Sequence, residues 1–452
     1  MSTIVRVLIV VSIIICTGCN PMRDNLSKFN SYIENGNISK ASDFSAGQIK
    51  GGEKPSNDDV IWMLQSGTSN RLLRDYKLSN EYFDRAEGLI KFYRERADKN
   101  VSNIWATATN DTALAYEGTI YDGVMLNTYK AINYMITGQY DRARVEFNRA
   151  TDRQRRAKEF YNTEIEKTRA QIKKKDMQAY NNATNSQNMS ILERKYPELK
   201  NFEPYPGFIN PFTSYISALF FYLEGDYDKA EFQIKQTAGI ISNNEYINND
   251  LDYIINRKSV SNTVWVIFEN GLGPVKEEMR LDLPLFVATN KVQYFGVALP
   301  RLRTRAAKYP YLVISDGQKR YNTKLLASMD RVIKTEFEKQ YPEIFTRAIV
   351  SATTKAVAQY ALQNDDNSTA ALIVAMYSLA TTAADCRIWT TLPKEFQIAR
   401  FEKPDSGKIE ITPASNCSAD CIKIDIGQSG NTIVYIKMIG PGIEPVYEII
   451  TF

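Results

Sequence analysis

Three stretches, RDYKLSNEYFDRA (74–86), GQYDRARVEFNRA (138–150) and GDYDKAEFQIKQT (225–237), share one pattern that decides the fold of the first half of the chain. Gly138 and Gly225 stand where a first helix would end, a position that often requires a left-handed backbone. Small and apolar residues then follow at helical spacing in each copy. We therefore expect each copy to form the turn and second helix of a helical hairpin.

The pattern resembles the middle of a tetratricopeptide repeat, in which helical hairpins stack side by side. In that repeat a tyrosine fills the turn and a small residue lies where the two helices approach closely. The predicted repeat-core residues are Tyr76, Phe83, Ala86, Gly138, Tyr140, Ala143, Phe147, Ala150, Gly225, Tyr227 and Ala230. The three tyrosines are 64 and 87 residues apart, whereas a regular array repeats about every 34 residues, so inserted helices are expected. A generic helical bundle is the alternative, and the weaker match GNISKA (36–41) is either a decayed copy or chance.

The N-terminus carries an export signal, in which Arg6 and the apolar run VLIVVSIII (7–15) precede Cys16-Thr17-Gly18-Cys19. A cysteine directly after Thr-Gly resembles a bacterial lipobox, which predicts lipidation of Cys19 and anchoring by its acyl chains. An ordinary secretory signal is the alternative. Residues 1–18 would then be the signal peptide, and residues 19–57, rich in Asn, Ser, Gly and Lys, are predicted to be a flexible tether.

The chain changes character near residue 259, which predicts a multi-domain protein. An all-α tetratricopeptide-like helical domain (58–258) would precede an α+β domain (259–452). Predicted strands, rich in Val, Ile, Phe and Tyr, cover 263–272, 292–299, 309–315, 394–401, 407–412, 421–426 and 432–439. Predicted helices cover 323–340, 344–363 and 368–384.

Composition restricts the chemistry. Hydrophobic residues make up 44% of the chain, charged residues 24%, and the net charge is only +4, which gives no argument for nucleic acid as a partner. The chain contains no histidine, which excludes Ser-His-Asp and Cys-His catalysis and histidine-ligated metals. We predict no cofactor and no metal site. The carboxylates left as candidates for an enzyme are Asp282, Glu338, Asp385 and Glu395, which no sequence pattern pairs.

Three cysteines remain besides Cys16 of the signal and Cys19 of the lipobox. Cys417 and Cys421 flank a short loop between predicted strands, so we expect a local disulfide if the turn brings their Cα atoms within about 6 Å. Zinc is the rival hypothesis, but three thiols without histidine do not complete a four-ligand site. Cys386 is predicted to be a buried apolar residue.

Three further segments have two interpretations each. The polar stretch 153–180 is predicted to be a long projecting helix, whose Lys and Arg excess either is merely solvated or meets an anionic surface. STAALIVAMYSLATTAA (368–384) is predicted to be a buried core helix, with a membrane-dipping or oligomerising hairpin as the alternative. ENGLGPVKEE (269–278) is predicted to be a structural turn rather than a phosphate cradle, because it lacks the P-loop spacing.

Four segments together resemble one known family: 209–225, 264–286, 295–300 and 388–401. It is an uncharacterised bacterial lipoprotein family with an N-terminal tetratricopeptide-like domain and a C-terminal α+β domain. The resemblance implies a lipoprotein that faces the periplasm and acts in cell-envelope biogenesis. It implies no catalytic residues.

These observations predict a lipid-anchored adaptor or scaffold, most naturally in the outer membrane, whose helical hairpins offer a concave face to an envelope protein partner. Two alternatives stay open. One is an enzyme that acts on an envelope polymer through C-terminal carboxylates. The other is a structural subunit of an envelope complex, which would form homo-oligomers.

Overall fold

A computed structural model describes residues 21–51, 55–107, 114–175, 208–285, 293–364, 383–414 and 421–452, together with isolated positions between 176 and 207. Over these residues helices occupy the first half, and mixed sheets with one long helix follow. The helices are α1 (Pro21–Glu34), α2 (Ile38–Gln48), α3 (Asp59–Leu72), α4 (Tyr76–Thr107), α5 (Ile120–Ile136), α6 (Tyr140–Lys175), α7 (Pro211–Leu223), α8 (Tyr227–Ile240), α9 (Glu245–Ile255) and α10 (Met329–Asn364).

Four helical hairpins, α1–α2, α3–α4, α5–α6 and α7–α8, turn in the same way. Gly36, Arg74, Gly138 and Gly225 each have a left-handed backbone, with φ between 62° and 80°. At each turn the amide of this residue bonds three residues back, and the next amide bonds five residues back, which is the Schellman pattern. The weak match at 36–41 is therefore a turn of the same kind. Arg74 adopts the left-handed backbone that glycine has at the other three turns.

The first hairpin replaces part of the predicted tether. Residues 21–48 form α1 and α2, in which Met22, Leu26, Phe29 and Ile33 are buried, so the prediction of a flexible tether is wrong for these residues. The polar composition concealed the helix because its apolar residues are few but fall three and four apart, on one face.

The strands form three sheets. They are β1 (Thr263–Asn270), β2 (Val275–Leu285), β3 (Gln293–Arg303), β4 (Leu312–Ser315), β5 (Arg320–Asn322), β6 (Lys324–Ser328), β7 (Glu395–Glu402), β8 (Lys408–Pro413), β9 (Ile422–Asp425), β10 (Thr432–Met438) and β11 (Val446–Thr451). The central sheet has the order β11-β10-β1-β7-β6, in which β1 and β10 are parallel and the other pairs antiparallel. A β2–β3 ribbon and a sheet of order β5-β4-β8-β9 complete the strands of the described residues.

The predicted strands correspond to observed ones, whereas two helix predictions need correction. The predicted helix at 323–340 begins with β6 instead, and α10 starts only at Met329. The predicted break near 340–344 is absent, because α10 continues through Pro342. Most of the predicted helix 368–384 lies outside the described residues, as does the predicted helix beyond residue 175.

The helices and the central sheet share one hydrophobic core. A single cluster of buried side chains includes Phe29 of α1, Phe147 of α6, Phe212 of α7 and Phe268 of β1. The change from helix to strand falls between Ile255 and Thr263, close to the predicted boundary, but it does not separate two cores.

Candidate functional site

The repeat-core residues occupy equivalent places in the hairpins. Six of them are fully buried: Phe83, Ala86, Ala143, Phe147, Ala150 and Ala230. The tyrosines of the turns are half-buried instead, and two of them bind the last strand. Tyr76 donates a 2.7 Å hydrogen bond to Glu448, and Tyr140 donates a 3.1 Å bond to the Thr451 carbonyl. The turns therefore hold β11 in place.

Gly67 is a repeat position that the sequence analysis missed. It precedes Arg74 by seven residues, as Ala131 precedes Gly138 and Ala218 precedes Gly225. A Cβ atom at Gly67 would lie 2.6 Å from Cδ1 of Phe83, so α3 and α4 approach too closely for any side chain there. The register of the other two copies was the signal that could have revealed it.

The central sheet covers the inner helices of the hairpins. All residues of α3 are buried, and nearly all of α5 and α7 are as well. The ring of Phe212 in α7 stacks on Phe396 of β7 with centroids 3.4 Å apart. The face that the sequence analysis offered to a partner is therefore occupied by the chain's own strands, and that prediction needs correction.

Glu269 of β1 is the first of two buried polar contacts on this inner face. Its carboxylate lies 3.1 Å from the Arg71 guanidinium of α3 and 2.8 Å from the Lys437 ammonium of β10. The hydroxyls of Tyr129 and Tyr435 also donate to it. Burial alone would raise the pKa of Glu269, but Lys437 and Arg71 overcome it and lower the pKa below its usual range. The carboxylate thus joins helix α3 to two strands.

Asp250 of α9 forms the second contact. Its carboxylate accepts hydrogen bonds from Tyr215 of α7 and, at 3.1 Å, from the indole of Trp265 in β1. Arg400 of β7 lies 2.9 Å away. Burial raises the pKa of Asp250 to about 6 against the opposing charge of Arg400. Trp265 and Arg400 are paired across the sheet, so one face of β1 and β7 supplies both partners.

An open groove lies on the outer side, between α4 and α6. We call it the outer groove; its volume is about 540 Å³, and its lining includes Asp84, Glu87, Gly88, Lys91, Arg149 and Arg153. Lys130 of α5 lies beneath it, 1% exposed, with its ammonium 2.6 Å from Asp84 and 3.0 Å from Glu87 and from Glu146. Burial alone would lower the pKa of Lys130, but Glu146 and Glu87 raise it. The buried cation therefore fixes the carboxylates around it.

Arg153 is held at the groove by a matching hollow. Gly123 of α5 has no side chain, and a Cβ atom there would lie 2.9 Å from Nη1 of Arg153. The guanidinium also donates 2.7 Å hydrogen bonds to Glu87 and Asn127. Burial alone would raise the pKa of Glu87, but the charge of Lys130 and the hydrogen bonds from Arg153 and Asn127 lower it to about 2. Glu87 is thus ionised and neutralised from several sides.

Two further cations of the groove, Arg149 and Lys91, are more exposed, whereas Arg94 is half-buried. Arg149 is 52% exposed, and its Nη1 donates a 2.9 Å hydrogen bond to the Glu146 carboxylate. Lys91 is 75% exposed and lies 3.9 Å from Glu95. Gly88 forms part of the wall, with open space where a Cβ atom would stand. The groove therefore combines fixed, compensated charges below with accessible groups of both signs above, among which Arg149 and Lys91 are the exposed cations.

The carboxylates considered for an enzyme have separate partners. Asp385 pairs with Arg387 at 2.8 Å, Glu338 lies 3.3 Å from Lys334, and Glu395 accepts a 2.9 Å bond from Asn270. Burial alone would raise the pKa of Asp385, but Arg387 lowers it. Asp282 pairs through its backbone with Gly296, and its side chain lies outside the described residues.

Glu336 of α10 is a buried carboxylate that the sequence analysis did not single out. It accepts hydrogen bonds from the amides of Ile120 at 2.9 Å and Tyr121 at 3.1 Å, at the start of α5. Burial raises its pKa to about 8, although these amides favour the ionised form. The nearby charge of Asp122 raises the pKa further.

The cysteine predictions are only partly accessible. Cys386 is buried as expected, and burial raises the pKa of its thiol to about 12. Cys421 donates a 2.9 Å hydrogen bond to Glu410. Cys417 and Cys19 lie outside the described residues, so the disulfide and the lipidation stay predictions.

No group of three or more Cys, Asp or Glu side chains among the described residues is arranged to hold a metal ion. No helix in the part of the chain that the structure describes is long and apolar enough to cross a membrane.

Comparison with known proteins gave little. No known protein family and no curated protein matches the chain, so the family resemblance stays a prediction. Among solved structures, a tetratricopeptide repeat protein from Parabacteroides merdae matches at 12% identity, over 52% of this chain and 98% of that one. The TM-score of 0.14 is too low to support an argument about the fold.

Proposed function

We propose that this protein is a non-enzymatic adaptor of the cell envelope, anchored through lipidated Cys19, that binds an acidic segment of a partner protein in the outer groove. The observation that carries this proposal is the contrast between the filled inner face and the open outer groove. The inner helices are covered by the central sheet, so a partner has access to the outer helices α4 and α6.

The charges of the groove support an acidic partner. Glu87 is compensated by Lys130 and Arg153, and Asp84 by Lys130. Arg149 and Lys91 keep much of their surface exposed, so the groove presents accessible cations. A guanidinium binds a carboxylate with charge-assisted hydrogen bonds that are about twice as strong as neutral ones.

The separate partners of Asp385, Glu338 and Glu395 support an adaptor rather than an enzyme. General acid–base hydrolysis of a glycan requires two carboxylates about 5–10 Å apart facing one cleft. Each of these three is instead engaged in its own ion pair or hydrogen bond.

In-cell crosslinking of the full chain, followed by mass spectrometry, tests the adaptor. We expect a recurrent envelope protein that is lost with Arg149→Glu and retained with Lys77→Glu. Lys77 is an exposed cation on α4, the other helix of the groove, but it is outside the groove lining and serves as the charge-reversal control. Equal recovery with both variants would refute the groove, and recovery of glycan fragments alone would favour the enzyme.

A further inference from the structure

We infer that the folded body lies directly on the membrane surface, with the N-terminal end of α1 as its contact, rather than hanging from a tether. This inference rests on the proposed lipidation of Cys19. It specifies the partner of that end of the molecule as a bilayer surface.

The length of chain before α1 carries the inference. Pro21 is the first residue of α1 and stands two positions after Cys19. An extended chain spans at most about 3.6 Å per residue, so Pro21 lies within roughly 7 Å of the Cys19 backbone. The acyl chains hold that backbone at the lipid interface.

Helix α1 cannot act as a tether, because it is built into the core. Phe29 is fully buried and meets the ring of Trp62 in α3 edge-on, with centroids 6.0 Å apart. Asn25 donates a 2.9 Å hydrogen bond to Gln48 at the end of α2. Glu34, at the other end of α1, lies 3.0 Å from Arg305.

Detaching α1 would expose its apolar face. Met22, Leu26, Phe29 and Ile33 are at most 9% exposed. Burying large apolar side chains is the dominant favourable contribution to folding, so exposing these four opposes detachment of the helix. The helix therefore stays folded while the anchor is in the membrane, and the short distance to Cys19 is kept.

The test uses full-length lipidated protein in vesicles of phosphatidylethanolamine and phosphatidylglycerol. A fluorescent amino acid replaces Arg23, which is about half exposed, and some headgroups carry a nitroxide quencher. The matched variant has a 20-residue Gly/Ser insert between Asn20 and Pro21, which spans roughly 25 Å as a random coil. We expect strong quenching in the first protein and a severalfold weaker quenching in the second.

Two contrary results are distinguishable. Equally weak quenching in both proteins, with the diacylglycerol on Cys19 confirmed by intact mass, would overturn the membrane contact and leave the anchor standing. An intact mass without acyl chains would overturn the anchor of the proposed function, and the contact with it. Variants at Arg149 would still report on the groove in either case.

Discussion

The inner face of the helical hairpins and the outer groove contain similar charged residues but differ in what covers them. On the inner face Glu269 is completely buried and is satisfied by Arg71, Lys437 and two tyrosines. In the groove, Arg149 and Lys91 remain open to solvent. Charge pairs can therefore join parts of a fold or face a partner, and burial decides which.

The difference also changes what each charge contributes to stability. Removing one partner of a buried pair leaves an unpaired charge in a low-dielectric interior, whereas an exposed pair is screened by water. The predictions below compare the two regions in this respect, starting with the largest effect.

Glu269→Gln is expected to lower the free energy of unfolding by about 3–5 kcal/mol, because Arg71 and Lys437 lose their counter-charge. Glu95→Gln in the groove, where the pair is exposed, is expected to change it by less than about 1 kcal/mol. Urea denaturation of both variants measures the difference. Similar losses in the two variants would show that the inner network does not join the sheet to the helices.

The pH dependence should have opposite signs at Glu336, which lies between α10 and the start of α5, and at Glu87 of the outer groove. The folded-state pKa of Glu336 is about 8, above its ordinary 4.5, so the folded protein binds more protons between these values. Its contribution to stability is therefore complete below about pH 4.5 and decreases as pH rises to 8. Glu87, with a pKa of about 2, contributes fully above 4.5 and loses its effect as pH falls.

Glu336→Gln tests this sign, since it removes the titration of Glu336 alone. Urea denaturation at pH 5, 6.5 and 8 measures the free energy of unfolding of both proteins. As pH rises, that of the wild type should fall relative to that of the variant, by up to a few kcal/mol. A constant difference across this range would mean that the carboxylate titrates normally in the fold.

Glycine substitutions compare the packing of the two regions. Gly67→Ala is expected to cost about 1–3 kcal/mol, because its Cβ would collide with Phe83. Gly88→Ala, in open space within α4, is expected to stabilise the protein by about 0.5–1 kcal/mol through helix propensity. Thermal unfolding of both variants measures this, and a neutral Gly67→Ala would show that the hairpin can separate there.

The smallest effect concerns the turns. Gly138 has a φ of 70° and open space around it. Gly138→Ala is therefore expected to lower the free energy of unfolding by about 1 kcal/mol, through backbone strain alone. Gly239→Ala in α8, also in open space but without a positive φ, is the control and should not destabilise the protein. Equal stabilities would contradict a requirement for glycine at this turn. Arg74 tolerates the same backbone while its guanidinium bonds the Tyr447 carbonyl at 3.2 Å.

Local chemistry made part of this fold predictable. Gly138 and Gly225 mark turns because a left-handed residue ends each first helix, and runs of β-branched and aromatic residues mark β1 and β10. The missed elements carry weaker local signals. Helix α1 has few apolar residues, β11 is short and half exposed, and β6 directly precedes α10, so that its residues resemble the start of that helix.

The sequence by itself determined the small and aromatic residues that are buried between paired helices, such as Ala143 and Phe147, because helical periodicity specifies an apolar face. It did not determine what covers that face, since burial by a partner and burial by the chain's own sheet require the same side chains. Only the tertiary structure placed the central sheet against α3, α5 and α7, through contacts such as Arg71 with Glu269, 198 residues apart. The outer groove likewise arises only when Lys130, Glu87 and Arg153, from three different helices, come together.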